Sequence, residues 1–241
     1  MKTWQKVLIP TLITLIIGGI YLLIVWKQRQ NPGVAGQNQP TQKLTADDVA
    51  VVRMEFAQHF EDTQELEGKR VWMKNGYSMP YFPYAAGRVK FTKPVGLIPA
   101  DQRLDVKKII KTVAPAAVQD NIAHGTRQAM AVFALPGGKD LFATPIGYLG
   151  AGTEEHYFTD LLFYYDDPHT IYSNWPKDEW AAIDAHQIKP GMSELQTRMA
   201  IGMKMHVDGE TEGDRTVDYD VNGKHYAVTF VKNHATAIKS A

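Results

Sequence analysis

Residues 188–202, IKPGMSELQTRMAIG, and 215–239, RTVDYDVNGKHYAVTFVKNHATAIK, carry the reading that decides the fold. Ser193 and Gln196 have the S-x-x-Q spacing in which two side chains cap the first turn of a helix reciprocally, and Leu195 and Met199 share a face one turn apart. Gly202 supplies the stop, because a residue without Cβ leaves a helix most easily. The apolar period then changes to two. Asn222-Gly223 is a strong hairpin signal, and a two-residue turn there sets Tyr219 opposite Tyr226, Val217 opposite Val228 and Asp220 opposite His225. The first two pairs form a buried face and the charged pair a wet one. A turn near Lys232-Asn233 leads to a third strand over 235–238, while 204–214 reads as a polar loop.

Working upstream, Pro176 with Asp178 and Glu179 is good chemistry for a helix start, and Trp180 and Ile183 fall on one face of that helix. The adjoining stretch is dense in rings: Tyr157, Phe158, Phe163, Tyr164, Tyr165, Tyr172, Trp175 and Trp180 lie within 24 residues. Such a cluster reads first as a core seam, since aromatic side chains dominate cores. The alternative is that Tyr165, Tyr172 and Trp175, flanked by polar and acidic residues, line a partner or saccharide groove.

Between 45 and 165 the pattern is mostly β. Thr45-Ala-Asp-Asp48 followed by Val49, Val52, Phe56 and Phe60 predicts a capped amphipathic helix of about five turns ending near Gly68. Strands are expected at 70–73 and 77–82, joined as a hairpin by Asn75-Gly76, and at 86–91, 128–135, 140–146 and 157–165. A turn at Gly137-Gly138 would set Phe133 opposite Phe142. Residues 104–113 suit a helix or a strand. Short strands this closely spaced suggest a small barrel or a curved sheet.

Residues 7–26, VLIPTLITLIIGGIYLLIVW, hold no charge over 20 positions. At about 1.5 Å per residue they span about 30 Å, the thickness of a bilayer's hydrocarbon core. Trp4, Tyr21 and Trp26 stand near the ends, with Lys6 and Lys27 bracketing them, as interfacial anchors do. The basic residues on the two sides nearly balance, so the short N-terminal tail decides orientation: N-terminus inside and body exported, with a cytoplasmic body as the alternative. Residues 28–44, rich in Gln, Asn, Pro and Gly, read as a flexible stalk. The expected class is α+β in four parts: anchor 1–27, stalk 28–44, helix and β-rich unit 45–165, and helix-plus-antiparallel-meander module 166–241.

With those elements placed, residues 188–238 resemble the helix-then-meander module of small outer-membrane lipoproteins that assist barrel assembly, a fold shared with β-lactamase-inhibitory proteins. Gly191 and Met192 before the helix, Gln196 within it and Gly202 at its end carry the resemblance, and Lys204 stands where that family often has Pro. The resemblance implies an interaction or assembly module without catalysis. The family's lipid-bearing Cys is absent, so attachment falls to the helix of residues 7–26, in the inner membrane of a bacterium.

The remaining chemistry is mostly exclusion. The chain has no Cys, which removes disulfides, thiolate metal sites and cysteine nucleophiles. Its formal net charge of zero and lack of a basic run argue against nucleic acid. His156 beside Glu154 and Glu155, and His169 beside Asp166 and Asp167, lack metal-ligand spacing, and Asp166-Asp167-Pro168 reads as a turn. Gly137-Gly138-Lys139 and Gly150-Ala151-Gly152 read as turns rather than phosphate loops. No cofactor, metal or catalytic set is expected. The leading reading is a non-enzymatic envelope protein binding other envelope or membrane proteins. A ligand-binding module, glycan included, is the alternative, and a hydrolase comes third, to be revived by converging carboxylates with a raised pKa.

Overall fold

The structure is a computed structural model that describes residues 18, 19, 21–23, 26, 27, 50–74, 79–115, 127–150, 154–202, 204–208, 211–221 and 224–240, the side chains of 204–208 and 221 excepted. The chain divides into two compact units, Met1–Thr45 and Ala46–Ala241. In the first, Gly18, Gly19, Tyr21, Leu22, Leu23, Trp26 and Lys27 are helical and exposed. Most of the expected span, Trp4 and Lys6 among its flanks, lies outside the described residues. Among those described, no helix is long and apolar enough to cross a membrane.

The second unit is α+β and holds two antiparallel sheets. The larger comprises β1 (Arg70–Met73), β2 (Pro80–Ala85), β3 (Arg88–Val89), β4 (Gly96–Leu97), β5 (Arg103–Val113), β6 (Arg127–Ala134), β7 (Leu141–Leu149), β8 (Glu155–Tyr157) and β9 (Phe163–Tyr164). Its main path runs β3-β2-β7-β6-β5-β1-β9, with β4 on β2 and β8 on β7. The path is open, from β3 to β9. Strand β6 is central and buried on both faces: Ala129, Ala131 and Phe133 join one apolar cluster with Leu104, Ile109 and Phe163, while Met130 and Val132 join another with Phe82 and Ala143. This is the period-two alternation of a strand with core on each side. At Gly147 of β7 a Cβ would stand 2.4 Å from the His156 carbonyl oxygen, so only glycine admits β8 there.

Short helices α1 (Phe60–Gln64) and α2 (Thr159–Leu162) accompany this sheet. Then come α3 (Pro168–Ile171), α4 (Lys177–Asp184), α5 (Glu194–Ile201) and a four-stranded meander: β10 (Lys204–Asp208), β11 (Thr216–Val221), β12 (Lys224–Val231) and β13 (His234–Ser240). Val217, Tyr219, Val228 and Phe230 pack with Trp180, Ile183 and Met199 of the helices in a third cluster.

Several expectations hold in detail. Ser193 caps α5, its Oγ accepting from the Gln196 N–H at 3.1 Å while Gln196 Oε1 accepts from the Ser193 N–H at 2.7 Å. Gly202 ends the helix at φ 88°. Tyr219 faces Tyr226, Val217 faces Val228 and Asp220 faces His225; Phe133 faces Phe142. Residues 104–113 are strand, within β5.

Others are corrected. Of the helix expected from 45 to 68, the described part, from residue 50 on, is helical only in α1. Residues 50–58 are not helical, because the Glu55 and Phe56 N–H groups donate to the Asp160 carboxylate at 2.8 and 2.9 Å instead of to their own helix. The supposed stripe is split: Val52 packs in the third cluster, Phe60 against the first, and Phe56 is 68% exposed. Val49 and residues 45–48 lie outside the described residues. Residues 75–78, with the expected Asn75-Gly76 turn, lie outside the described residues, and the described strands on either side, β1 and β2, do not pair with each other. β1 pairs with β5 and β9, and β2 with β7, β3 and β4, so the partners that bury Val71 and Met73 are distant in sequence. The expected strand at 86–91 is only β3, entered through Ala86-Gly87, both at positive φ, a type I′ pattern without the usual Asn. The expected strand at 157–165 is interrupted by α2. The supposed loop 204–214 contains β10, paired with β11.

Candidate functional site

The aromatic segment folds into a chain of rings. Tyr164 meets Tyr172 edge-on at 6.3 Å, Tyr172 stacks on Trp175 at 4.4 Å, Trp175 leans on Trp180 at 5.1 Å, and Trp180 stacks on His169 at 3.9 Å with 20° between planes. Each of the Tyr and Trp pairs contributes about 0.5–1.5 kcal/mol beyond its buried area. Local chemistry sets the path. The Asp167 side chain caps α3 by accepting from the His169 N–H at 2.9 Å, with Pro168 in the first turn. Trp180 turns inward on α4, and its Nε1 donates to the Tyr172 carbonyl at 3.4 Å. The rings from Tyr164 to Trp180 are buried, so the seam is core, and its outer end is a half-exposed imidazole.

Around that imidazole three aspartates converge. Its Nδ1 lies 3.1 Å from Asp167 Oδ1 and its Nε2 lies 3.3 Å from Asp184 Oδ1, Asp184 being the last residue of α4. Asp101 comes from the turn before β5, fixed where its N–H donates to the Met73 carbonyl at 2.9 Å. Single ligand-type atoms of Asp101, His169 and Asp184 lie within 4.8 Å of one another. The outer face of the group is wet, since the His169 and Asp184 side chains are 45% and 53% exposed. The inner face is dry: Asp101 Oδ1 is buried and has no hydrogen-bond partner. Burial pushes the Asp101 carboxyl up to about 7, with His169 opposing and Asp184 and Asp167 adding to the rise.

A second buried carboxylate, Glu194 at the start of α5, is fully satisfied. Arg215 donates to it through Nε at 3.1 Å and a terminal nitrogen at 2.6 Å, and the Gly213 N–H adds a third bond at 3.0 Å. Burial pushes this carboxyl upward, but the Arg215 and Gly213 donors outweigh burial and hold it below the ordinary range. Glu194 thereby ties α5 to the chain entering β11.

The residues singled out from sequence separate as follows. Tyr165, Tyr172 and Trp175 are buried at 6%, 4% and 6% exposure. Tyr172 and Trp175 cover each other's faces, and the Tyr165 hydroxyl donates to Asp160 at 2.8 Å beside a small cleft lined by Glu55, Asp62, Thr63 and Thr159. This is the core arrangement and not an open groove of rings. Met192 and Gln196 are buried within the module, and Gly191 and Gly202 occupy positive-φ positions on either side of α5. His156 stacks on Tyr148 at 4.6 Å. Sequence reasoning noticed His169 with Asp167 but missed Asp101 and Asp184, because nothing local joins a turn before β5 to the end of α4. The hint available was the period of α4, which puts Trp180 and Asp184 one turn apart.

No family model, curated protein or solved structure matches the chain.

Proposed function

We infer that the chain is a non-catalytic protein of a bacterial envelope, held in the inner membrane by the helix of residues 7–26 with its body on the periplasmic side, and that it binds other envelope or membrane proteins as a scaffold or accessory subunit. The uncharged length of 7–26 supports the anchor. The resemblance of residues 188–238 to assembly-lipoprotein modules supports the interaction role. The observation that carries it is β13. This strand pairs with β12 alone at the rim of the meander. Gly191 and Met192 cover it at Ala235, exchanging bonds of 2.9 and 2.8 Å, and beyond Ala235 it has no second strand partner among the described residues. An exposed strand edge takes a partner by adding a strand.

The test is a photo-crosslinking amino acid at Ala237 in the full chain in its native membrane. One dominant crosslinked neighbour supports the reading, and an uncrosslinked monomer contradicts it. A reporter active only after export, fused to the C-terminus, tests the orientation, and a silent fusion contradicts it. The hydrolase reading keeps one supporting observation, the carboxylates converging on Asp101 with its raised pKa.

A further inference from the structure

We propose that Asp101, His169 and Asp184 bind a first-row divalent cation of the zinc type, with Asp167 orienting the imidazole. The donor set is mixed, one nitrogen and two carboxylates, a combination that suits Zn2+ and its neighbours better than Ca2+ or Mg2+, which take oxygen almost exclusively. Ligand atoms around a tetrahedral Zn2+ stand about 3.4 Å apart. The Nε2 to Asp184 separation of 3.3 Å already has that spacing, and the three donors lie within 4.8 Å, so capture needs only a modest inward turn of carboxylate side chains.

Two independent features make this more than a cluster of acids. The first is that Asp101 Oδ1 is buried without a hydrogen-bond partner, so the carboxylate that joins His169 and Asp184 has acceptor capacity a cation would use. The second is the support of the imidazole. Ligating histidines commonly give their other ring N–H to a carboxylate, which fixes the tautomer that presents a lone pair to the metal. Asp167 lies 3.1 Å from Nδ1 in that position, and the Trp180 face at 3.9 Å holds the ring plane. Nε2 is then the atom left facing Asp184. The cation would sit between that lone pair and the two carboxylates. The half-exposed faces of His169 and Asp184 give the ion its path and leave a coordination position open to water or to a partner's side chain.

The test uses the full chain in detergent, stripped with a chelator, and titrated with Zn2+ in competition with a chromophoric chelator. The expected result is one Zn2+ per chain, weakened about tenfold or more by His169→Gln and by Asp184→Asn. His225→Gln, which changes the surface pair with Asp220 on the meander, should bind as the parent does. Millimolar Mg2+ or Ca2+ should not displace the metal. Because His169 and Asp184 are half-exposed, both variants should melt near the parent without metal, and only the parent should gain melting temperature on Zn2+ addition. Absence of stoichiometric binding overturns the proposal. So does binding that survives both substitutions, or a Zn2+-induced stabilisation that the Asp184→Asn chain retains.

Discussion

Glu194 and Asp101 are both carboxylates withdrawn into the second unit, and they differ in what surrounds them. Glu194 receives three donors, two from one guanidinium, and its charge is held in place. Asp101 shares its corner with two further aspartates and one imidazole, and one of its oxygens has no donor. A buried charge that the chain itself neutralises is a joint in the architecture. One that the chain leaves short of positive charge holds its proton to higher pH, and the proposed cation would take that proton's place.

The comparison breaks most visibly if the Glu194 joint is cut from one side. Arg215→Met should leave Glu194 buried and unpaired and lower stability by about 3–5 kcal/mol in denaturant unfolding; a loss below about 1 kcal/mol, the range of a surface pair, would show that the pair is not structural. Asp101→Asn should act in the opposite direction. In chelator at pH 8 it removes a desolvated charge and should stabilise by about 1–3 kcal/mol, and a destabilised variant would contradict the account.

The two sites should also diverge with pH. Asp101, raised to about 7, binds a proton in the folded chain that the unfolded chain has released, so its contribution falls as pH rises from about 4 to about 7 and is at its lowest above that. Glu194, lowered when folded, contributes fully above the ordinary carboxyl range, and that contribution is lost as pH falls through its folded pKa. Metal-free urea midpoints between pH 3 and pH 9 should therefore lose the upper slope in Asp101→Asn and keep the lower one. The smallest effect belongs to His169→Gln without metal, within about 1 kcal/mol, because its two carboxylate contacts are half-exposed.

The two halves of the body also differ in how far sequence alone describes them. From Pro176 to Ile238 the signals are local: the Ser193–Gln196 box, the Gly202 stop and the Asn222-Gly223 turn all concern neighbours within a few residues, and the register around Tyr219 and Tyr226 follows from them. Between 50 and 165 the decisive contacts are distant. Trp72 pairs with Tyr164 and Tyr84 with Leu141, and the segment at Glu55 is drawn out of a helix by Asp160, more than a hundred residues away. No periodicity within a short window reports such pairing. The site is of this second kind. His169 and Asp167 are adjacent enough to be noticed, whereas Asp101 arrives through the sheet and Asp184 through the stacking of Trp180 on His169.

The most direct measurement is an anomalous difference map from crystals of the full chain grown with Zn2+, recorded at the zinc edge. The account predicts one strong peak about 2.0–2.2 Å from His169 Nε2 and from carboxylate oxygens of Asp101 and Asp184, with no peak at Glu194. A map with no peak there, and with His169 Nε2 still resting on Asp184, would contradict it.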